Sequence, residues 1–579
     1  MQTVDDLEVS YADFKQPQVE TGRSLLEKLE QKKFILIAMI FLLALGARTY
    51  RLGAVGFAED ETNKIFAIRA YEQGDFTVNA EHPMLMKMLC FASVQTSAFW
   101  NRVAGERTGL VISEEAALRL PNATFGALTV VPLFLLATAL LGFRVGVLTS
   151  LLWATGINAI WFNRIVKEDT LLIFFMITGF YLYNRAKAVP ESNPGLQEKV
   201  FAMAGAAFGL MMCSKYFPHY FGLNALFYHL AGYDRRNNRP LTRRSTLSFF
   251  AAMVLAFVLF NPAVFVPQTW RYLLSYVNED LLTHHGYLMM DTLFQNDPGA
   301  MPFGAPWYMY YLYIGVKVPV PLIAVFLVGM VEIFRRRGLY PESQGYLFLR
   351  VMLVFWLFPM ALTGAKFLRY TLSLMPLLYM TAAIGIIVAW RYLAKALWKA
   401  SLDQRAAHAM AACCVVAVFV IFPAVTMMRS LPYPSLYLNI FGGGRVGYFF
   451  PHDEFYDLGA RESIKHIAET APRGAIVATE IPGVLQYYLE RYGRPDIRSE
   501  IISHPEFSLD RSRPDYVLLQ RGRTYFENKE AFSFIEHNFA TVQASEFEGV
   551  PATQVYKTSS GQPPEKAANR DKQHMLLGH

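Results

Sequence analysis

Three carboxylates in a row, Glu59-Asp60-Glu61, follow Phe57-Ala58 and are the first place in the chain where side chains could move a proton. Like charges held side by side raise the pKa of at least one partner, and a carboxylate poised closer to neutrality suits a general base. On composition alone a hydrated loop explains the triplet better, so other residues must decide. A second polar group follows at Glu81-His82-Pro83-Met84-Leu85-Met86-Lys87, and a third at Asn163-Arg164-Ile165-Val166-Lys167-Glu168-Asp169-Thr170. Ser214-Lys215-Tyr216 and Lys366-Phe367-Leu368-Arg369-Tyr370 place cations at the ends of apolar runs. A lysine there can snorkel to an interface or hold a phosphate, and chemistry alone leaves both open. The stretch 269–305 adds Glu279-Asp280, His284-His285, Asp291 and Asp297. Adjacent histidines are a weak metal signature, and interfacial polar residues account for them more simply. Glu81, His82 and either histidine form the one candidate metal set.

Composition says what must position these groups. Of 579 residues, 53% are apolar or aromatic and 17% are charged, against about a quarter charged in soluble proteins. A single soluble core stops growing near ~250–300 residues and cannot hide that much apolar surface. Disorder is excluded by the same numbers, and 4 cysteines are too sparse for a disulfide scaffold. A polytopic membrane protein remains. With about 20 apolar residues needed per span, about eleven spans are expected: 34–50, 120–141, 145–162, 170–186, 200–217, 219–232, 246–268, 306–333, 346–365, 371–390 and 408–428. Arg144, then Arg185 and Lys187, then Arg235-Arg236, Arg239 and Arg243-Arg244, then Arg335-Arg336-Arg337, then Arg391, Lys395 and Lys399 all fall on one side. That is the positive-inside pattern, with the N-terminus cytoplasmic and the polar groups above at the outer face. Counting residues 84–103 as a span would invert everything after them, so they read as a helix lying in the outer interface.

An odd number of spans leaves the C-terminal part outside. Residues 1–33 read as a cytoplasmic segment, 34–430 as the transmembrane catalytic part with an outer loop at 51–119, 431–558 as an extracytoplasmic α/β domain, and 559–579 as a disordered tail. Short apolar strands beside amphipathic stretches, IVATEIPGVLQYYLERYG and RPDYVLLQR, give the domain its class, and ~100 residues is an ordinary domain size. The net charge of +7 comes with no basic, aromatic-interleaved patch, so nucleic acid is not an expected partner. Cys90, Cys213, Cys413 and Cys414 read as small core residues.

In order and placement these motifs resemble the GT-C glycosyltransferases of the protein O-mannosyltransferase type, with the aminoarabinose transferases as cousins. Asp60-Glu61 matches that group's acidic pair after a Phe. His82 to Lys87 matches its His-Pro-Pro-Leu-x-Lys element, with Met84 in place of the second proline. Arg119-Leu120-Pro121-Asn122-Ala123 with Phe125-Gly126, Asn163 through Leu172, Ser214 to Tyr216, Pro306-Trp307-Tyr308, Lys366 to Tyr370, and Tyr433 to Gly444 resemble further segments. The resemblance covers most of 34–460. Loop 269–305 is too short to hold the β-trefoil insert of eukaryotic members, which favours a bacterial type and puts a protein acceptor in doubt.

The resemblance implies an α-helical polytopic GT-C fold. It implies inverting transfer of a sugar, with mannose first, from a polyprenyl-phosphate donor to a hydroxyl of protein Ser/Thr or of an envelope glycan or lipid. Asp60 and Glu61 would be catalytic. Lys215, Arg164, Arg369 and Lys87 would hold the donor phosphate, and Glu59, Glu81, His82 and Asp169 would position the acceptor. A divalent metal ion, which some GT-C enzymes use, would sit among Glu81, His284 and His285. The setting would be a bacterial inner membrane, with membrane lipids around the chain. Two rivals stand: aminoarabinose-type transfer to lipid A, and secondary transport. A transporter would carry its ionisable residues mid-membrane on broken helices in two matching halves; here they lie at the outer ends of apolar runs.

Overall fold

A run of about 20 apolar residues can satisfy every backbone group within itself in a hydrocarbon medium as a helix, and helices dominate residues 33–430. The computed structural model describes residues 30–190, 192–216, 219–230, 242–278, 286–289, 292–295, 304–335, 343–362, 366–400, 403–444, 455–547 and 549–558. In chain order, α1 is Lys33–Thr49, α2 Glu59–Glu72 and α3 Met84–Trp100. Next come α4, Glu114–Leu141, α5 Phe143–Thr155, α6 Ile157–Asn163, α7 Asp169–Lys187 and α8 Pro194–Ser214. Then follow α9 Arg243–Phe260, α10 Met309–Lys317, α11 Val320–Arg335, α12 Met375–Lys399 and α13 Gln404–Ser430.

Among the described residues, α4, α9, α12 and α13 are long and apolar enough to cross a membrane, and α5 with α6, bent by 57°, would make a fifth. That is fewer than the spans read from apolar runs, and the causes are local. The 170–186 run becomes α7, but the helix takes in Asp169, Arg185 and Lys187. The 306–333 run is broken at Val318-Pro319 into α10 and α11, because proline cannot continue the preceding helix. Among its described residues, the 219–232 run yields the short helix His219–Ala225 and the π turn Leu226–Leu230. Where helices cross, small residues let backbones touch: a Cβ added at Gly205 or Gly209 of α8 would lie 2.0 or 2.3 Å from the Phe249 or Met253 carbonyl oxygen of α9. Cys90 and Cys213 are buried as expected, whereas Cys413 and Cys414 are exposed on α13; an apolar neighbourhood in sequence does not say which helix face a residue occupies.

The C-terminal part holds α14 (Ala460–Thr470), α15 (Pro482–Arg491) and α16 (Lys529–Asn538) around a sheet. A small hairpin pairs β1 (Tyr287–Met289) with β2 (Thr292–Phe294). The main sheet runs β4-β3-β5-β7-β6, with β3 Ile476–Thr479, β4 Arg498–Ile501, β5 Tyr516–Gln520, β6 Thr541–Phe547 and β7 Val550–Lys557. β3 is parallel to β4 and β5, and β7 is antiparallel to β5 and β6. Alternation decides the faces: Val477 and Leu518 pack with Ile464 of α14 and Val484 of α15, and Ala478, Val517 and Leu519 pack with Ile535 of α16.

This domain is seated on the loop after α1 and on the start of α4. The Tyr488 hydroxyl accepts from the Phe57 amide at 2.7 Å, and the Tyr487 ring meets Phe57 edge-on at 5.3 Å. Glu115 of α4 takes Arg491 at 2.9 Å and Arg461 at 3.5 Å. Gly56 allows the close approach, since a Cβ there would lie 2.6 Å from the Arg461 Cβ.

Candidate active site

The acidic triplet forms the first turn of α2, where the helix dipole favours negative charge. Glu61 reaches back to accept from the Ala58 amide at 3.1 Å, the reciprocal half of a capping box. Successive helical residues project about 100° apart, so the three carboxylates part company. Glu61 points inward and is sealed. Its oxygens take Arg119 at 2.7 and 2.5 Å and the Val166 amide at 3.1 Å. Glu59 turns to the C-terminal domain and pairs with Arg523 at 2.7 Å. Asp60 stays 33% exposed. Its Oδ1 lies 2.5 Å from the Lys167 ammonium, and its Oδ2 accepts from the Tyr456 hydroxyl at 2.7 Å.

Charge crowding therefore acts differently from the simple expectation of repulsion. Burial pushes the Asp60 carboxyl up, but Lys167, Arg369 and Lys64 outweigh it and hold the group well below the usual carboxylate range. Glu59 is the member that is raised; burial is the main cause, and Asp457 and Asp60 add to it against Arg523.

Around Asp60 lies a basin of buried charge. Lys64, one turn along α2, pairs with Glu168 at 2.7 Å with both side chains 1% exposed, and donates to Asn79 at 2.9 Å. The His82 Nδ1 is 3.9 Å from Glu168. Burial together with Lys64, Lys167 and Lys215 pushes His82 well below its ordinary value despite Glu168, so this imidazole is neutral. Lys215, at the end of α8, pairs with Asp169 at the start of α7, 2.9 Å apart. Its ammonium also sits 4.3 Å from the Tyr370 ring centroid. The Arg369 guanidinium lies over Phe367 at 4.2 Å and Tyr370 at 5.5 Å. Phosphate chemistry needs clustered cations, and four of them (Lys64, Lys167, Lys215 and Arg369) border this basin.

Other residues expected at the site are turned elsewhere. Arg164 donates to the carbonyls of Arg48, Tyr50 and Arg51 at 3.0, 2.8 and 3.3 Å, which caps the negative end of α1. Lys87 donates to the Asn79 and His82 carbonyls at 2.6 and 2.9 Å and so pins the turn that carries His82. Glu81 accepts from the Asn79 side-chain amide, and its Oε2 is buried without a partner. His284 and His285 lie outside the described residues. Among the described residues no three His, Cys, Asp or Glu side chains stand where they could share a metal ion.

Residues 107–265 match the family described as dolichyl-phosphate-mannose-protein mannosyltransferase. That segment holds Arg119, Lys167, Asp169 and Lys215 but not Asp60. Among solved structures, the archaeal oligosaccharyltransferase AglB from Archaeoglobus fulgidus, in complex with an inhibitory peptide and a dolichol-phosphate, is similar at 13% identity. It covers 94% of this chain and 76% of that one, with a TM-score of 0.50. The fold is similar to that of this oligosaccharyltransferase. ArnT from Cupriavidus metallidurans bound to undecaprenyl phosphate is similar at 13% identity and a TM-score of 0.47, covering 92% of this chain and 99% of that one. Its apo form gives 15% and 0.49 over 92% and 98%. No curated protein matches the sequence.

Several groups of the site were invisible to motif reading. Lys64 had a signal in its four-residue spacing from Asp60, and Lys167 lay inside a quoted loop that also reads as a hydrated turn. Tyr456, Asp457 and Arg523 carry no local signal; they reach the triplet from the far end of the chain.

Proposed function

We propose that this protein is a membrane-embedded inverting glycosyltransferase. It takes a sugar, with mannose first, from a polyprenyl phosphate and places it on a hydroxyl of an extracytoplasmic protein, glycan or lipid. The observation that supports this most is Asp60: a carboxylate one-third exposed in a basin where Lys64, Lys167 and Glu168 are at most 2% exposed. It is held ionised and is open to a hydroxyl arriving from outside.

The chemistry follows from the charges. The acceptor oxygen bonds to the anomeric carbon while Asp60 takes its proton. The bond from that carbon to the phosphate oxygen breaks, and its electron pair leaves on the polyprenyl phosphate, which passes from one negative charge to two. One displacement inverts the anomeric centre. A phosphate is a good leaving group, so no general acid is required; Lys215 and Arg369 balance the growing charge. Asp169 orients Lys215, and His82, neutral, is a hydrogen-bonding group for sugar or acceptor. Glu61 and Arg164 belong to the scaffold in this reading, and Glu59 to the seam with the C-terminal domain. We place the chain in a bacterial inner membrane, with a cytoplasmic N-terminus, eleven spans including short and broken ones, and the 431–558 domain outside.

The test is release of polyprenyl phosphate from polyprenyl-phosphate-mannose by protein in nanodiscs, with crude membranes supplying acceptor. Release by the wild type and its loss in Asp60→Asn is the expected result. Release from an aminoarabinose donor alone moves the sugar assignment to the aminosugar branch. No release from any polyprenyl-phosphate sugar sinks the reading and favours transport.

A further inference from the structure

The C-terminal domain touches the proposed base directly, through the segment that leads into it. We infer that Tyr456 is a positioning residue for Asp60, and that Arg523 of the C-terminal domain holds it in place. This rests on the reading of Asp60 as the general base.

Two donors from two separate elements fix the carboxylate. Lys167, from the loop between α6 and α7, takes Oδ1, and Tyr456 takes Oδ2 at 2.7 Å. A carboxylate offers about four lone-pair sites, so two stay open toward the exposed side, where an acceptor hydroxyl would arrive. The bond is made at a conformational cost: Tyr456 and Asp457 have φ of 46° and 54°, a left-handed region that non-glycine residues keep only where their surroundings over-determine it.

Those surroundings are built by Arg523. Its fork donates to both oxygens of Asp457 at 2.9 and 2.7 Å, and its remaining nitrogen donates to Glu59 at 2.7 Å. Asp457 also accepts from the Glu59 amide at 2.9 Å. Glu59 precedes Asp60, and Asp457 follows Tyr456. One guanidinium thus sets the separation between the residue beside the base and the residue beside the phenol. On the other side, the Leu458 carbonyl accepts from Thr553 at 2.8 Å, and Phe455 and Leu458 are buried against Leu436 and Ala552. The domain is in this view a part of the catalytic centre and not only a surface for the acceptor.

The groups that face Asp60 are Lys167 from the loop, Arg369 from the turn before α12, Lys64 and Glu59 from its own helix, and Tyr456, which Glu61 also faces. Removing only the phenol hydroxyl leaves every charge in place. A hydrogen bond to the ionised form favours it, so its loss makes Asp60 easier to protonate. The experiment is the pH dependence of polyprenyl phosphate release by the full chain in nanodiscs. In Tyr456→Phe the acid limb of kcat/KM should move to higher pH by about half to one unit, with donor KM unchanged because Lys215 and Arg369 are untouched. Asp457→Asn, which weakens the Arg523 fork, should shift the limb in the same direction by less. Rates scaled down, or unaltered, with the limb at its wild-type pH in both variants would overturn the inference while leaving the transferase reading intact. A wild type that releases no polyprenyl phosphate from any donor overturns that reading, and this inference with it.

Discussion

The layer beneath the first turn of α2 and the basin above it contain the same materials in opposite states. Beneath, Glu61 and Arg119 are 0% and 2% exposed, and both carboxylate oxygens are spent on arginine and backbone amides. Above, Asp60 meets Lys167 at the same 2.5 Å, yet a third of its side chain faces solvent. The lower pair has no room for a substrate and can only hold the loop to α4. The upper one keeps lone pairs free. Charge pairing by itself therefore does not mark a reactive group; unspent hydrogen-bonding capacity at the surface does.

The contrast breaks if the two carboxylates respond alike to removal of charge. Asp60→Asn should lower transfer by about 10²–10⁴-fold, the usual contribution of a general base, with a smaller loss of stability on thermal unfolding in detergent than the Glu61 variant, since Asp60 is one-third exposed although it pairs with the buried Lys167. Glu61→Ala should instead strand the Arg119 guanidinium and destabilise the fold by about 3–5 kcal/mol, seen as a lowered midpoint in the same unfolding scan. An Asp60 variant that unfolds earlier than the Glu61 variant, or a Glu61 variant that is stable but inactive, would reverse the assignment of the two layers. A step smaller is Lys215→Met. Loss of a charge-assisted bond costs about 1.5–3 kcal/mol, which is roughly 10–100-fold in kcat/KM for the donor; a change confined to acceptor KM would remove Lys215 from the phosphate.

Acid should separate the members of the triplet as well. Asp60 has a depressed folded pKa, so its stabilising contribution is complete above the unfolded value of about 3.9 and fades as pH falls through the folded one. Glu59 is raised, so between its unfolded value of about 4.3 and its folded one, stability rises as pH falls. Unfolding scans of Glu59→Gln against wild type across mildly acidic pH should show a steeper slope in wild type, because Glu480 and Glu536 are raised as well and remain in the variant. Equal slopes would remove Glu59 from the raised set.

How much of this was legible in the sequence depends on distance along the chain. Asp60, Lys215 and Asp169 stand in short motifs, and chemistry within a motif can be read from residue types. The direction of a side chain cannot: Glu61 is adjacent to Asp60, and Arg164 is three residues from Lys167, yet each of these neighbours serves the scaffold. Spans were readable as apolar runs, but the break at Pro319 and the charges inside α7 depend on where helices start and stop. Tyr456 lies 396 residues from Asp60 and Arg523 lies 464 from Glu59, so their roles arise only when the C-terminal domain docks.

That docking seam supplies the smallest test. Glu115 is 2% exposed and receives Arg461, Arg491 and the Tyr488 hydroxyl, whereas Arg69 and Glu490 meet at 3.4 Å with 47% and 39% of their side chains exposed. Both are arginine–carboxylate contacts joining the same two parts of the molecule. An exposed pair loses most of its Coulomb energy to water and salt and is worth about 0–1 kcal/mol. Arg69→Ala should therefore shift unfolding by less than ~1 kcal/mol, part of it from the guanidinium's stacking on Tyr487 at 5.5 Å, and the electrostatic share should vanish in high salt. Glu115→Ala removes a buried carboxylate that holds Arg461, Arg491 and the Tyr488 hydroxyl together and should cost more than Arg69→Ala at every salt concentration. If Arg69→Ala proved the more damaging of the two, the seam would be held at its rim and not at its centre, and Arg523 would lose its claim to be part of a rigid clamp over Asp60.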